Sequence, residues 1–159
     1  MVVEIKEVSR LTPKIKESVV LFDKEGKKYH FKVFDTPVYE LEIPYKFPSF
    51  NEYTNVNRKN KFAGARMKKQ IQEDISWYIK KLPKFESAVR IQFTWFEANS
   101  KRDYDNVCAN KKFILDALVE QGKLKDDNRK IVKGFTDVFV DSDEWKVILE
   151  IEEVCDDAE

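Results

Sequence analysis

Between Val89 and Gly122 the hydrophobic pattern changes period once, and that change limits what the middle of the chain can become. Val89, Ile91, Phe93 and Trp95 alternate with Arg90, Gln92 and Thr94, the period of two of a half-buried strand. After Lys101-Arg102-Asp103-Tyr104-Asp105-Asn106, the apolar residues Val107, Ile114, Leu115 and Leu118 recur at helical spacing. That spacing predicts one helix from about Asp105 to Gln121. Asp105 and Asn106 suit its N-terminal cap, and Gly122 suits its C′ position. The acidic segment therefore falls at a strand-to-helix junction.

On such a helix Asp105, Lys112 and Asp116 share a face distinct from the core stripe. Asp103 would point the same way if its segment is extended. Asp126 and Asp127 follow on a short loop that could fold back towards them. Up to three carboxylates would then meet beside one lysine and one arginine. Two bare carboxylates ~4 Å apart repel by about 4 kcal/mol at an effective dielectric of 20. A divalent cation relieves that repulsion, and hard oxygen donors without a paired His or Cys favour Mg²⁺ or Mn²⁺ over Zn²⁺. The same residues also describe an N-capped surface helix followed by an acidic turn, and spacing leaves both readings open.

The pattern Arg102-Asp103-x-Asp105-Asn106, Lys112-x-x-x-Asp116-Ala117-Leu118, Gly122 and Asp126-Asp127 resembles the RusA family of Holliday junction resolvases, often carried by phages and prophages. Pro48-Ser49-x-Asn51-x-Tyr53 resembles the family's N-terminal proline–asparagine–tyrosine segment, so the likeness covers roughly residues 40 to 153. About three extra residues separate Asn106 from Lys112 relative to the best-known members, which leaves Lys111 and Lys112 as alternatives for the active lysine. The resemblance implies a Mg²⁺-dependent endonuclease, with Mn²⁺ as a substitute, that nicks four-way junction DNA symmetrically as a homodimer. Asp103, Asp105 and Asp127 would hold one or two ions, and Lys112 would neutralise the phosphate or orient water. Arg102 would clamp phosphate, with Asp126, Asp116 and Asn106 in support. The implied setting is the cytoplasm of a bacterium or a phage-infected cell, with no membrane and no small-molecule substrate. The rivals are a branched-DNA-binding protein that does not cut, and a metal nuclease acting on flaps or other branched nucleic acids.

The formal net charge is zero, which by itself counts against a nucleic-acid enzyme. Its distribution is uneven: Val56 to Lys112 carries 14 Lys and Arg against 6 Asp and Glu, whereas Glu150 to Glu159 carries 6 acids and no base. That asymmetry suggests a basic face for phosphates. Tyr45 to Lys61 is polar and rich in aromatics and reads as a long loop. With Arg66, Lys69 and Lys101, its basic residues Arg58, Lys59 and Lys61 are candidate DNA contacts. Cys108 and Cys155 are too few for a disulfide framework or a zinc site, and His30 stands alone. No N-terminal apolar segment has signal-peptide or membrane-span length, so a soluble protein that is not secreted is expected.

At 159 residues one domain is expected, burying roughly 68–70% of its unfolded surface. Residues 1–36 read as an appended β-hairpin turning at Asp23-Lys24-Glu25-Gly26, and 154–159 as an acidic tail. Tyr39, Leu41 and Ile43 mark a strand, and Met67 to Leu82 a helix ended by Pro83. Val132 to Val140 and Trp145 to Ile151 read as a second hairpin turning at residues 141–144. The expected class is α+β, with two main helices packed on a mixed or antiparallel sheet. The resemblance implies the same fold.

Overall fold

The computed structural model describes residues 5–8, 15–22, 24–34 and 38–154. Parts of the N-terminal element, its turn residue Asp23, and residues 155–159 of the acidic tail lie outside the described residues. The chain is α+β. Its strands are β1 (Ile5–Val8), β2 (Ile15–Phe22), β3 (Lys28–Phe34), β4 (Val38–Ile43), β5 (Ala88–Glu97), β6 (Val132–Asp141) and β7 (Lys146–Val154). Its helices are α1 (Phe50–Lys59), α2 (Lys61–Ile79), α3 (Tyr104–Cys108) and α4 (Lys111–Glu120).

The main sheet runs in the order β1-β4-β7-β5-β6. The β5–β6 pair is parallel and the others are antiparallel, so the sheet is mixed. β2 and β3 form the expected hairpin as a separate two-stranded sheet, with Gly26 at φ +82° after the turn. The expected second hairpin is corrected. β6 and β7 do not pair; they flank β5 on opposite sides. The Ser142 N–H donates to the Glu97 carbonyl at 2.9 Å, drawing the connection across the end of β5. Alternation also separates the two strands: Val147, Leu149 and Ile151 are buried in the inner strand β7, while Phe135 and Val138 are exposed on the edge strand β6.

The core joins Tyr39, Leu41 and Ile43 of β4 to Ile71, Ile75 and Ile79 of α2 and to the inward residues of β5 and β7. The stripe Val107, Ile114, Leu115 and Leu118 is buried as its spacing requires. The single helix expected over 105–121 is nevertheless two, broken between Cys108 and Lys111. Asn110 explains the break. It is 2% exposed, and its Nδ2 donates to the carbonyls of Pro48 at 2.8 Å and Val107 at 3.0 Å. A buried amide satisfied this way ties the chain before α1 to the start of α4. Gly122, at φ +70°, ends α4 as expected. Lys123 N–H donates to Leu118 O and Gly122 N–H to Val119 O, the Schellman pattern.

The long loop expected over 45–61 is also corrected, because most of it is helix. Ser49 Oγ accepts from the Glu52 N–H at 3.1 Å while Glu52 Oε2 accepts from the Ser49 N–H, a capping box that starts α1. The helix buries no residue fully, but the Tyr53 ring meets Phe113 of α4 edge-on at 5.2 Å. Asn60 ends α1 and caps α2, its Oδ1 accepting from Phe62 and Ala63. α2 ends at Ile79, a few residues before Pro83.

α1 and α2 cross closely at Gly64. A Cβ there would lie 2.9 Å from the Cα of Asn57, and a backbone atom does not yield to it. Gly64→Ala is therefore expected to cost about 1–3 kcal/mol, read as a lower urea midpoint at unchanged slope.

Candidate active site

The inward phase of β5 runs on past Trp95 to Glu97, which is 9% exposed. The chain then turns through Lys101, whose N–H donates to Asn99 Oδ1 at 3.1 Å, and enters α3 at Asp103. Asp103 is the N-cap residue, with extended backbone, and its carbonyl accepts from the N–H groups of Asn106 and Val107. Its carboxylate makes no capping bond. Asp105 lies in the first turn and accepts from the Asn106 N–H at 3.0 Å. Both aspartates are exposed. Asp103 flanks a cleft of about 260 Å³ that is also lined by Glu97, Tyr104, Phe139 and Asp141. Tyr104, 66% exposed, stacks on Phe139 with centroids 4.1 Å apart.

Asp127 is carried by the loop after α4. Buried Leu124 and the hydrogen bond from Phe85 N–H to the Lys123 carbonyl hold that loop against the core. Asp126 stabilises it locally, accepting from the Asp127 N–H at 2.7 Å and from Asn128 Nδ2 at 2.8 Å. Lys112 Nζ then lies 2.8 Å from Asp127 Oδ2 and 2.7 Å from Asp116 Oδ1. Lys68 of α2 closes the network at 2.9 Å from Asp116 Oδ2. The hydrogen bonds that Lys112 donates to Asp116 and Asp127 push its ammonium up to about 12. The bond from Lys112 holds the Asp127 carboxyl below its ordinary value.

The sign of the resulting pH dependence follows. A depressed folded-state value means Asp127 adds stability above its unfolded value of about 3.9, and that stability is lost as pH falls through the folded value. The urea midpoint of Asp127→Asn should therefore lie below that of the wild type near neutrality, and the gap should narrow below about pH 4. A gap that widens on acidification would contradict the ion pair.

Adjacent Lys111 faces the sheet. It pairs with Asp137 of β6 and lies 5.3 Å from the Phe135 ring centroid and 5.8 Å from that of Phe93. Trp95 Nε1 donates to the other Asp137 oxygen at 3.0 Å. Of the two candidate lysines, Lys112 is the one brought to the acidic loop.

The break before α4 separates what a single helix would have aligned. Asp105 belongs to α3, while Lys112 and Asp116 belong to α4. Among the described residues, no group of three or more His, Cys, Asp or Glu side chains is arranged to hold one metal ion. Asp103, Asp105 and Asp127 thus do not form a closed carboxylate cage. Arg102 turns inward, 15% exposed: it donates to the Phe47 carbonyl at 2.6 Å, lies 3.9 Å from Glu52 and stacks over Trp145 at 4.8 Å. That geometry ties the chain before α1 to the site and leaves little of the guanidinium for phosphate. Arg58, Lys59, Lys61, Arg66, Lys69 and Lys101 are all exposed, and Phe62, 81% exposed, lies among those of α1 and α2.

Three acids at the site lie outside the RusA-like pattern: Asp137, Glu97, and Asp141, which falls in the expected turn over residues 141–144. Glu97 carried the clearest signal, since it continues the alternation of Val89 to Trp95 and so had to point inward. Burial raises the Glu97 carboxyl above its usual range, against the lowering influence of Arg102 and Lys46. Comparison with protein families and with curated proteins finds no match to this chain.

Proposed function

We propose that the chain is a Mg²⁺-dependent endonuclease that nicks four-way DNA junctions symmetrically as a homodimer. The observation that carries this reading is the contact of Lys112 with Asp127, 2.8 Å apart although fifteen residues separate them. Both were singled out by the RusA-like pattern, and only a returning loop brings them together. Asp103 and Asp105 offer hard oxygen donors on the exposed start of α3. The donor set fits Mg²⁺, which keeps several waters and binds through one or two carboxylates plus substrate phosphates, not through an all-protein cage. When bound, the ion would activate water and stabilise charge on the scissile phosphate.

The chain's own residues supply the rest. Asp103 and Asp105 position the ion, and Lys112, held charged by its two aspartates, faces the negative phosphate. The exposed cations of α1 and α2 bind the DNA backbone through counterion release, and Phe62 gives them an aromatic surface for an unstacked base. Among the described residues, no helix is long and apolar enough to cross a membrane.

The test is an immobile four-way junction with duplex and flap controls. Cleavage should appear with Mg²⁺ or Mn²⁺, vanish in EDTA and be poorly supported by Ca²⁺, whose looser coordination suits in-line geometry less well. Full activity in EDTA would overturn the metal mechanism. Equal cleavage of flaps and junctions would overturn the substrate.

A further inference from the structure

The main sheet stops at β6 with one edge open. Among the described residues no strand pairs with the far side of β6, and the β2–β3 hairpin forms a sheet of its own. An edge ten residues long presents a row of backbone donors and acceptors that can template another strand. From Gly134 to Asp141 it runs against β5 without a bulge and holds no proline, so little blunts it. Phe135, 45% exposed, stands on one face of this edge, and Val138, 37% exposed, on the other.

Charge along this strand runs from basic to acidic. Lys130 and Lys133 stand at its start, Asp141 and Asp143 at its end, and all four are exposed. A strand of that polarity repels a parallel copy of itself and attracts an antiparallel one. In the antiparallel pair the basic start of each strand meets the acidic end of the other. With Asp137 at the centre, Phe135 falls opposite Phe139, an aromatic pair of the kind that stabilises neighbouring strands. Asp137 would then face its own copy, but its charge is already matched by Lys111.

We infer that β6 pairs antiparallel with the β6 of a second copy of this chain, joining the two main sheets into one across a two-fold axis at Asp137. Such an axis stands normal to the sheet, so both copies present the same face. Lys111 of α4 on Asp137 and Tyr104 of α3 on Phe139 mark that face as the one bearing these helices. Phe139 is two residues along the strand from the axis. The start of α3, with Asp103 and Asp105, therefore lies near the axis in both copies and on one side of the dimer. Two nicks in one junction need that arrangement. The inference rests on the proposed endonuclease, whose paired nicks call for two copies.

The experiment is sedimentation equilibrium of the full chain, with four-way junction cleavage measured on the same samples. Lys130→Glu with Lys133→Glu sets acid against acid, and Asp141→Lys with Asp143→Lys sets base against base. Each double variant should raise the dimer dissociation constant by about tenfold or more. All four substitutions together keep the net charge and restore opposite signs across the axis. That variant should dimerise within about threefold of the wild type, a recovery that independent losses would not give. Either double variant decides the matter if the other fails to fold by circular dichroism. A monomeric wild type, a dimer untouched by a folded double variant, or no recovery in a folded fourfold variant overturns the β6 interface. Junction cleavage in any of those cases leaves the endonuclease standing without this interface. A dimer that follows the charge exchange but cuts no junction would keep the interface and sink the nuclease.

Discussion

Asp103→Asn is expected to abolish cleavage of a four-way junction while the junction is bound at least as tightly as by the wild type. The change keeps the side chain's shape and removes one negative charge at the mouth of the acidic cleft. Because the Asp103 carboxylate makes no capping bond to α3, the substitution removes no fold contact of the kind that costs a helix about 1 kcal/mol when a cap is lost. Metal capture should fall, and repulsion between the cleft and DNA phosphates should fall with it. Affinity comes mainly from exposed cations through counterion release, and those of α1 and α2 are untouched. Gel shifts at fixed salt beside a cleavage assay read both halves. Preference for the junction over duplex should persist, since the proposed dimer, shaped to the junction centre, would select it without metal. Loss of binding along with cleavage, in a folded variant, would make Asp103 structural and leave the nuclease resting on resemblance.

Neighbouring lysines should fail in opposite ways. Lys112→Ala is expected to lower cleavage by about 10²-fold, the usual cost of removing one group that stabilises transition-state charge, in a protein that remains folded. Its side chain is 63% exposed, and surface ion pairs contribute little to stability. Lys111→Ala is expected to lower stability by about 2 kcal/mol, because it strands a mostly buried Asp137 beside aromatic rings with Trp95 as its remaining donor. Side chains of Lys111 and Asp137 are each 21% exposed, which keeps the cost below that of a fully buried pair. Urea unfolding and single-turnover cleavage on both variants separate the two effects. Unchanged stability in Lys111→Ala would contradict the inward pair. Unchanged cleavage in Lys112→Ala would remove that lysine from the site.

Local signals in the sequence were legible where local physics decides the outcome. The alternation of Val89 to Trp95, the stripe from Val107 to Leu118 and the glycine at 122 all behave as their spacing requires. The capping pair Ser49 and Glu52 was equally readable, yet the polar composition of residues 45–61 masked it, since α1 buries no residue fully. Other features depend on partners distant in the chain. Asn110 breaks the helix because the Pro48 carbonyl, sixty-two residues earlier, accepts from it. Nothing near Asn110 announces that bond. The parallel pairing of β5 with β6 is likewise a tertiary choice, because a short turn before β7 suits a hairpin equally well. The convergence of Lys112 and Asp127 agrees with the expected loop folding back, whereas the placement of Asp105 on a different helix from Lys112 follows from the break at Asn110.

The position of β7 bears on how the chain is made. It is the last strand along the described chain, yet it lies between β4 and β5 and joins them. As the polypeptide leaves the ribosome, β1 can meet β4, and later β5 can meet β6 across the crossover that holds α3 and α4. No ladder links the two halves until residues 146–154 emerge. A nascent chain stalled before that point would present two half-sheets with open inner edges, each inviting pairing with another molecule. Synthesis of the final strand would then act as the locking step of folding, and ribosome-bound chains released just short of Lys146 would be the aggregation-prone ones.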